Sequence, residues 1–342
     1  MMKAFIFVND NGVAYKRYKN GELPAQFVYG VSELEKMGCT IKVGTGNFLI
    51  DIFRFLVFRP DIFFMPFIKR KTMFFYFLGR ITFTKTKFLG WLHGDIFYKP
   101  KGKVKQHIYN IFRFILSRYM NSIDKIFFLS QKTMEELILK EGFSPEKCVT
   151  LPWGGDIDFY SSYYSSISSD YFISTGRENR DIYKVLNAIS YTKATLKIYT
   201  NDMSLPDSFV NVMGDMKINK GVWSYPYLLQ ETSKALCVLV PLKSEKINYC
   251  VGLSSLVEAF CLGRPVIVTK NPYWYIDIEK ENVGIVINDD SVESWVNAID
   301  YLSSNPDVAH EMGENARKLF LNRFNFLKTE ELVRKHIQSL FI

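Results

Sequence analysis

The sequence is poor in the residues that build metal centres and disulfide frameworks, with four histidines and five cysteines among 342 residues. Cys39, Cys148, Cys237, Cys250 and Cys261 lie far apart and form no Cys-x-x-Cys pair. That pattern excludes a zinc ribbon and points to reduced thiols in a cytoplasmic protein rather than a disulfide scaffold. The scattered histidines offer no ligand cluster, and no metal is expected. Long hydrophobic runs are also missing. Ile52–Phe58 and Ile62–Ile68 are each too short to cross a bilayer, and Arg59-Pro60-Asp61 divides them. Met1–Asn9 reads as an apolar strand with no cleavage site behind it, so no secretory leader is expected.

Acidic residues are scarce in the first half. Residues 1–160 hold 24 Lys/Arg against 14 Asp/Glu, an excess of ten; the whole chain's excess is eight, so the remainder has a deficit of two. The excess concentrates between Arg54 and Lys105, where 12 basic and two acidic residues stand among many phenylalanines. Such a mixture suits an anionic membrane surface or a phosphorylated lipid. Single-stranded nucleic acid is the competing partner for this pattern, and a phenylalanine core with solvated lysines is the plain alternative. What is abundant is core material: hydrophobic residues make up 48% and charged residues 23%, enough for large cores, and the length predicts two domains.

The chain is organised around Val251–Lys270, VGLSSLVEAFCLGRPVIVTK. Gly252 opens a small polar run, Gly252-Leu253-Ser254-Ser255, from which a helix starts with Ser254 or Ser255 as N-cap. The helix ends at Gly263, suited to a left-handed cap, and Pro265 precedes the β-branched strand Val266–Val268. Amides at such a helix start, with the positive end of its dipole, suit a diphosphate. Glu258 lies on the same face, where a carboxylate accepts hydroxyl hydrogen bonds from a ribose.

This stretch resembles the donor-nucleotide signature of GT-B glycosyltransferases, closest to the family 4 type. There the acid holds the ribose of a nucleotide sugar and the loop amides hold its phosphates. Many members carry a second glutamate eight residues earlier, beside the sugar; here that position is Cys250. The resemblance implies two Rossmann-like doubly wound domains facing a central cleft. The expected boundaries are an N-terminal acceptor-side domain over 1–160, a serine-rich linker over 161–170, a nucleotide-sugar domain over 171–325, and a helix over 326–342 crossing back.

Other segments fit the same plan. Tyr171–Ser174 reads as a strand leading into Thr175-Gly176-Arg177, the second half of the donor site in that family. Arg177 takes the first cationic role there, and Arg180 or Lys184 the second. A departing nucleoside diphosphate needs cations or a metal, and no DxD pair stands in a suitable loop. Asn211–Met213 reads as a short strand. Lys243–Cys250 is a mobile run whose Glu245, Lys246 and Asn248 can meet the donor sugar in place of the missing acid. In the first domain, the turn after the first strand offers Asn11, Gly12 and Tyr15 as acceptor contacts. A helix is expected over Gln26–Met37 and a long amphipathic one over Lys105–Met120. His93, at the carboxyl end of a parallel strand, points into the crevice where α/β sheets bind ligands. It would hydrogen-bond the transferred sugar, with Asp95 as base for the acceptor hydroxyl; otherwise His93 packs and Asp95 caps a helix.

The function these expectations imply is transfer of a sugar from a UDP- or GDP-sugar to a saccharide or polyprenyl-linked acceptor in bacterial surface polysaccharide synthesis. By resemblance it is retaining and metal-independent, with no cofactor beyond the donor and no nucleic-acid partner. The enzyme would sit in the cytoplasm, peripheral at the inner face of the membrane. A GT-B nucleotide-sugar epimerase and a non-catalytic basic binder of membrane or nucleic acid remain as alternatives.

Overall fold

The computed structural model describes residues 1–342 apart from 9, 83, 95, 98–105, 167–168, 206–215, 290 and 342. The candidate base Asp95, the strand expected over Asn211–Met213 and the first residue of the expected helix Lys105–Met120 lie outside the described residues.

Short apolar runs bounded by turns form two all-parallel sheets. The first contains β1 (Lys3–Ile6), β2 (Thr40–Val43), β3 (Ile62–Met65), β4 (Lys87–Trp91), β5 (Lys125–Phe128) and β6 (Cys148–Thr150), in the order β2-β1-β3-β4-β5-β6. The second contains β7 (Tyr171–Ser174), β8 (Thr195–Thr200), β9 (Met216–Lys220), β10 (Cys237–Val240), β11 (Val266–Thr269) and β12 (Gly284–Ile287), in the order β12-β11-β10-β7-β8-β9. Helices stand between most successive strands, and β3, β7, β10 and β11 are buried at every residue, as strands covered on both faces are. β9 was not anticipated from the sequence.

The chain divides into two compact units, Met1–Pro152 with Leu327–Ile342, and Trp153–Phe326. The division falls ahead of the serine-rich stretch 161–170, which therefore lies inside the second unit. The reason is local. Gly155 donates its amide to the Phe324 carbonyl and accepts from the Phe326 amide, both at 2.8 Å. A Cβ on Gly154 would stand 2.4 Å from the Phe324 oxygen, so the close pairing of 154–155 with 324–326 requires glycine there.

In the first unit the phenylalanines are mostly core. Phe5 and Phe63 stack at 5.7 Å, and Phe55 meets Phe63 edge-on at 5.5 Å. The helix expected over Gln26–Met37 is broken into a 3-10 turn, Ala25–Val28, and a helix, Val31–Lys36. Tyr29 and Gly30 between them adopt left-handed backbone, φ 55° and 95°, and the Tyr29 carbonyl accepts the Trp91 indole N–H at 2.8 Å instead of continuing a helix. The terminal helix Phe326–Gln338 belongs to this unit beyond its first residue: Val333 and Ile337 are fully buried, and Arg334 meets the buried Glu33 at 2.5 Å.

Candidate donor-nucleotide site

In the second sheet β7 lies between β8 and β10, so the chain reverses its direction of winding at the β7–β10 boundary. Ligands of doubly wound sheets bind outside the carboxyl ends of the strands at such a point. Two loops converge there, the one after Ser174 and the one after Val240. They are laced together: the Asp181 amide donates to the Pro241 carbonyl at 3.0 Å and the Lys243 amide to the Asn179 carbonyl at 3.1 Å. Gly176, with φ 106°, lets Arg180 fold back over the loop; a Cβ would stand 2.6 Å from the guanidinium.

The helix Leu253–Cys261 begins at Gly252, whose φ is 85°. This corrects the expected Ser254 or Ser255 cap. The turn closes through the Leu253 amide, which donates to the Cys250 carbonyl at 3.2 Å, and both serines fall inside the helix. Ser254 is exposed. The buried Ser255 hydroxyl accepts from Arg180 Nη2 at 2.8 Å. Among the described residues the amides of Ser254 and Ser255 have no backbone acceptor, as anion binding at a helix start requires. The preceding loop is pinned from the segment after β11. Asn271 donates to the Tyr249 and Val251 carbonyls at 3.1 and 3.0 Å, and the Trp274 indole donates to Val251 at 3.0 Å.

Glu258 lies on this helix within the electrostatic reach of Arg180. Its Oε1 accepts from the Tyr225 hydroxyl at 2.8 Å, and the Tyr160 and Tyr225 hydroxyls are 2.5 Å apart. Since the Tyr225 proton goes to the carboxylate, Tyr160 is the donor to Tyr225. Burial pushes the Glu258 carboxyl up to about 7 against the opposing pull of Tyr225 and Arg180. Burial likewise lowers Arg180 to about 10, although Glu258 and Glu178 favour its charge. Arg180 Nε has no acceptor among the described residues, so a donor remains for an incoming oxygen.

The other expected residues fall as follows. Arg177 is exposed in the loop after β7. Lys184 pairs with Asp181 at 3.3 Å, so Arg180 is the base set against Ser255 and Glu258. Leu253 is buried, and Asn248 is exposed. Cys250 is buried, which pushes its thiol up to about 12; it is neutral where the resemblance places a carboxylate. Tyr225 and Tyr160 were missed. Their only sequence signal is Ser224 followed by Pro226, a helix start that puts Tyr225 in the first turn.

In the first unit, Asn11 (φ 56°) is exposed and Gly12 (φ 71°) opens the helix Val13–Lys19. The Tyr15 hydroxyl donates to Glu35 at 2.5 Å. A cavity of about 220 Å³ lies at the β1–β3 boundary, lined by Phe7, Asp10, Tyr15, Phe67 and Lys69 among others. His93 is half-buried at the end of β4: its ring lies 4.3 Å from Phe67, and Nε2 meets the Pro66 carbonyl at 3.1 Å. Burial lowers it to about 4, so it is neutral at pH 7, with Nε2 protonated and donating.

Residues 227–319, spanning the Glu258 helix, match the family described as glycosyl transferases group 1. The second unit therefore carries a segment similar to that family, and it contains the helix bearing Glu258 and Ser255, the hydrogen-bond partner of Arg180. No curated protein sequence matches it. Among solved structures, sucrose-phosphate synthase from Thermosynechococcus elongatus superposes with a TM-score of 0.72 at 13% identity, covering 100% of this chain and 99% of that one. HepE of Anabaena, solved in complex with UDP, gives 0.67 at 13% identity over 99% and 100%. WaaG, a glycosyltransferase involved in lipopolysaccharide biosynthesis, gives 0.60 at 13% identity over 97% and 98%. At these identities the likeness is one of fold, and that fold is GT-B.

Proposed function

We propose that this protein is a glycosyltransferase that takes its sugar from a nucleoside-diphosphate donor, UDP-linked or GDP-linked, and passes it to a saccharide acceptor carried on a lipid. The observation that carries the reading is the hydrogen bond from Arg180 to Ser255, one helical turn before Glu258, at the β7–β10 boundary. Glu258 receives the ribose hydroxyls, the amides of Ser254 and Ser255 receive the diphosphate, and Arg180 with Arg177 balances the charge that develops as the diphosphate leaves. HepE, of the same fold, is known with UDP and with UDP-glucose, which favours uridine. Retention of configuration and independence of metal belong to the same proposal, since cations and amides can supply the stabilisation otherwise given by a metal. The lipid carrier, the cytoplasmic face of a membrane and a place in surface polysaccharide assembly rest on the basic, aromatic first unit and on the fold shared with WaaG.

Thermal unfolding in the presence of UDP and GDP, without divalent ions, tests the donor site. A nucleotide at about a hundred times its Kd should stabilise the protein by about 2.7 kcal/mol. Arg180→Ala should weaken that response and lower turnover by about 10²–10³-fold. No response to either nucleotide would overturn the proposal. Conversion of a nucleotide sugar to its epimer without any acceptor would instead favour an epimerase.

A further inference from the structure

We propose that the helices Phe48–Phe58, Thr72–Ile81 and Gln106–Ser122 form one outer face of the first unit that docks onto an anionic lipid bilayer. The inference rests on the lipid-carried acceptor proposed above and names the surface that would meet the membrane.

The topology places these helices together. They connect β2 to β3, β3 to β4 and β4 to β5, each step running the same way across the sheet, and right-handed crossovers put such connections on one side. Contacts agree: Phe48 meets Phe74 at 5.5 Å and Tyr76 meets Tyr119 at 5.8 Å. Each helix buries one stripe, with Phe55, Phe75 and Leu116 all at 0% exposure. Each also turns a second apolar stripe to solvent. Phe53 is 67% exposed, Ile81 72% and Phe114 62%, with further exposed apolar residues three or four positions away. Large apolar side chains exposed on three neighbouring helices are the kind of surface that marks an interaction site.

Charge identifies the occupant. The three helices contain a single carboxylate, Asp51, which is buried and accepts from the Thr45 amide and hydroxyl at 2.7 and 2.9 Å. Their arginines are Arg54, Arg80, Arg113 and Arg118. Arg113 pairs with Glu141 at 2.8 Å, whereas among the described residues the other three form no ion pair. Arg118 lies 5.7 Å from the ring of the exposed Phe114, an apolar group and a cation side by side, as interfacial helices present to acyl chains and headgroup phosphates. No described helix is long and apolar enough to cross a membrane, so the contact is with its surface. A second copy would set unpaired arginines against the same arginines, which disfavours self-association through this face.

Co-sedimentation with vesicles tests the assignment, comparing phosphatidylcholine alone with phosphatidylcholine plus phosphatidylglycerol. Wild-type protein should bind the anionic vesicles, and less so at high salt. The triple variant Arg54→Glu, Arg80→Glu, Arg118→Glu should lose about a hundredfold or more in partitioning, at about fivefold per base removed. Phe53→Ser with Phe77→Ser and Phe114→Ser should lose binding as well. Both variants should keep the wild-type melting response to UDP, which shows that they fold. Absence of vesicle binding by the wild type, or binding unchanged in both variants, would overturn the docking face, even with the UDP response intact. A dimer in solution that dissociates in the phenylalanine variant would overturn it in favour of a second copy. Vesicle binding without any UDP response would support the face and count instead against the donor-site reading.

Discussion

Glu258 holds together several strands of the chemistry. Its carboxyl lies near 7 because burial penalises the charge, while Tyr225 and Arg180 pull the other way. A raised folded value means that protonation favours the native state. That contribution is complete below the unfolded value of about 4.3 and is lost as pH rises through about 7. The unliganded protein should therefore lose part of its stability between about pH 4 and pH 7, the window those two values bracket, and Glu258→Gln should remove that part of the slope. Ligand binding should run oppositely, because an ionised carboxylate accepts both ribose hydroxyls and a protonated one does not. UDP affinity should rise through pH 7, and Tyr225→Phe, which removes a donor that lowers Glu258, should move the midpoint upward. Calorimetric titration of UDP across this range checks both, and a flat profile in the wild type would remove Glu258 from the ribose site. Glu258 and the basic loop after β7 were legible in the sequence because a glycine, a small-residue run and an acid stand close together there. Tyr225 and Tyr160 were not: Tyr225 reaches Glu258 from 33 positions away and Tyr160 backs Tyr225 from a further 65, and nothing in local spacing records that approach.

At the scale of the element, the start of the Glu258 helix shows how backbone geometry overrides side-chain preference. Ser254 and Ser255 have the chemistry of N-caps, yet the helix opens earlier because Gly252 takes φ 85° and Cys250 accepts the next amide. The same physics broke the helix expected over Gln26–Met37, where Tyr29 and Gly30 turn left-handed. Left-handed backbone at a non-glycine residue leaves no reliable trace in a sequence, and a glycine says only that it is possible. Gly252 is also crowded: a Cβ would meet the Trp274 ring at 3.1 Å and Val240 at 3.2 Å. Gly252→Ala should cost about 1–2 kcal/mol from the left-handed position alone, lowering the melting temperature by several degrees. Because the first amides of the helix would shift with it, UDP affinity should fall more than stability does. Equal affinity at reduced stability would separate the helix start from the diphosphate.

The whole molecule was readable where strands are buried on both faces. β3 and β10 are continuous apolar runs, as strands buried on both faces of a parallel sheet are. What the pattern of residues could not place was where one unit ends. Serines at 161–170 read as a connection, but the close glycine contacts at 154–155 decide the division, and such contacts join residues about 170 positions apart. The terminal helix makes the matching point for the first unit. Ile337 and Val333 are fully buried, the Ser32 hydroxyl donates to Glu330, and Lys36 meets Glu330 at 2.6 Å. The ion pairs are half open to water on their basic side, so they add little beyond orientation; the apolar contact should dominate. Ile337→Ala should cost about 2–5 kcal/mol, while Lys36→Ala should cost under about 1 kcal/mol. Hydrogen exchange should show the Ile337→Ala loss in Val31–Lys36 and β1, with the UDP response of the second unit unchanged. If Lys36→Ala proved the more damaging, ionic contacts and not buried area would be what seats the helix.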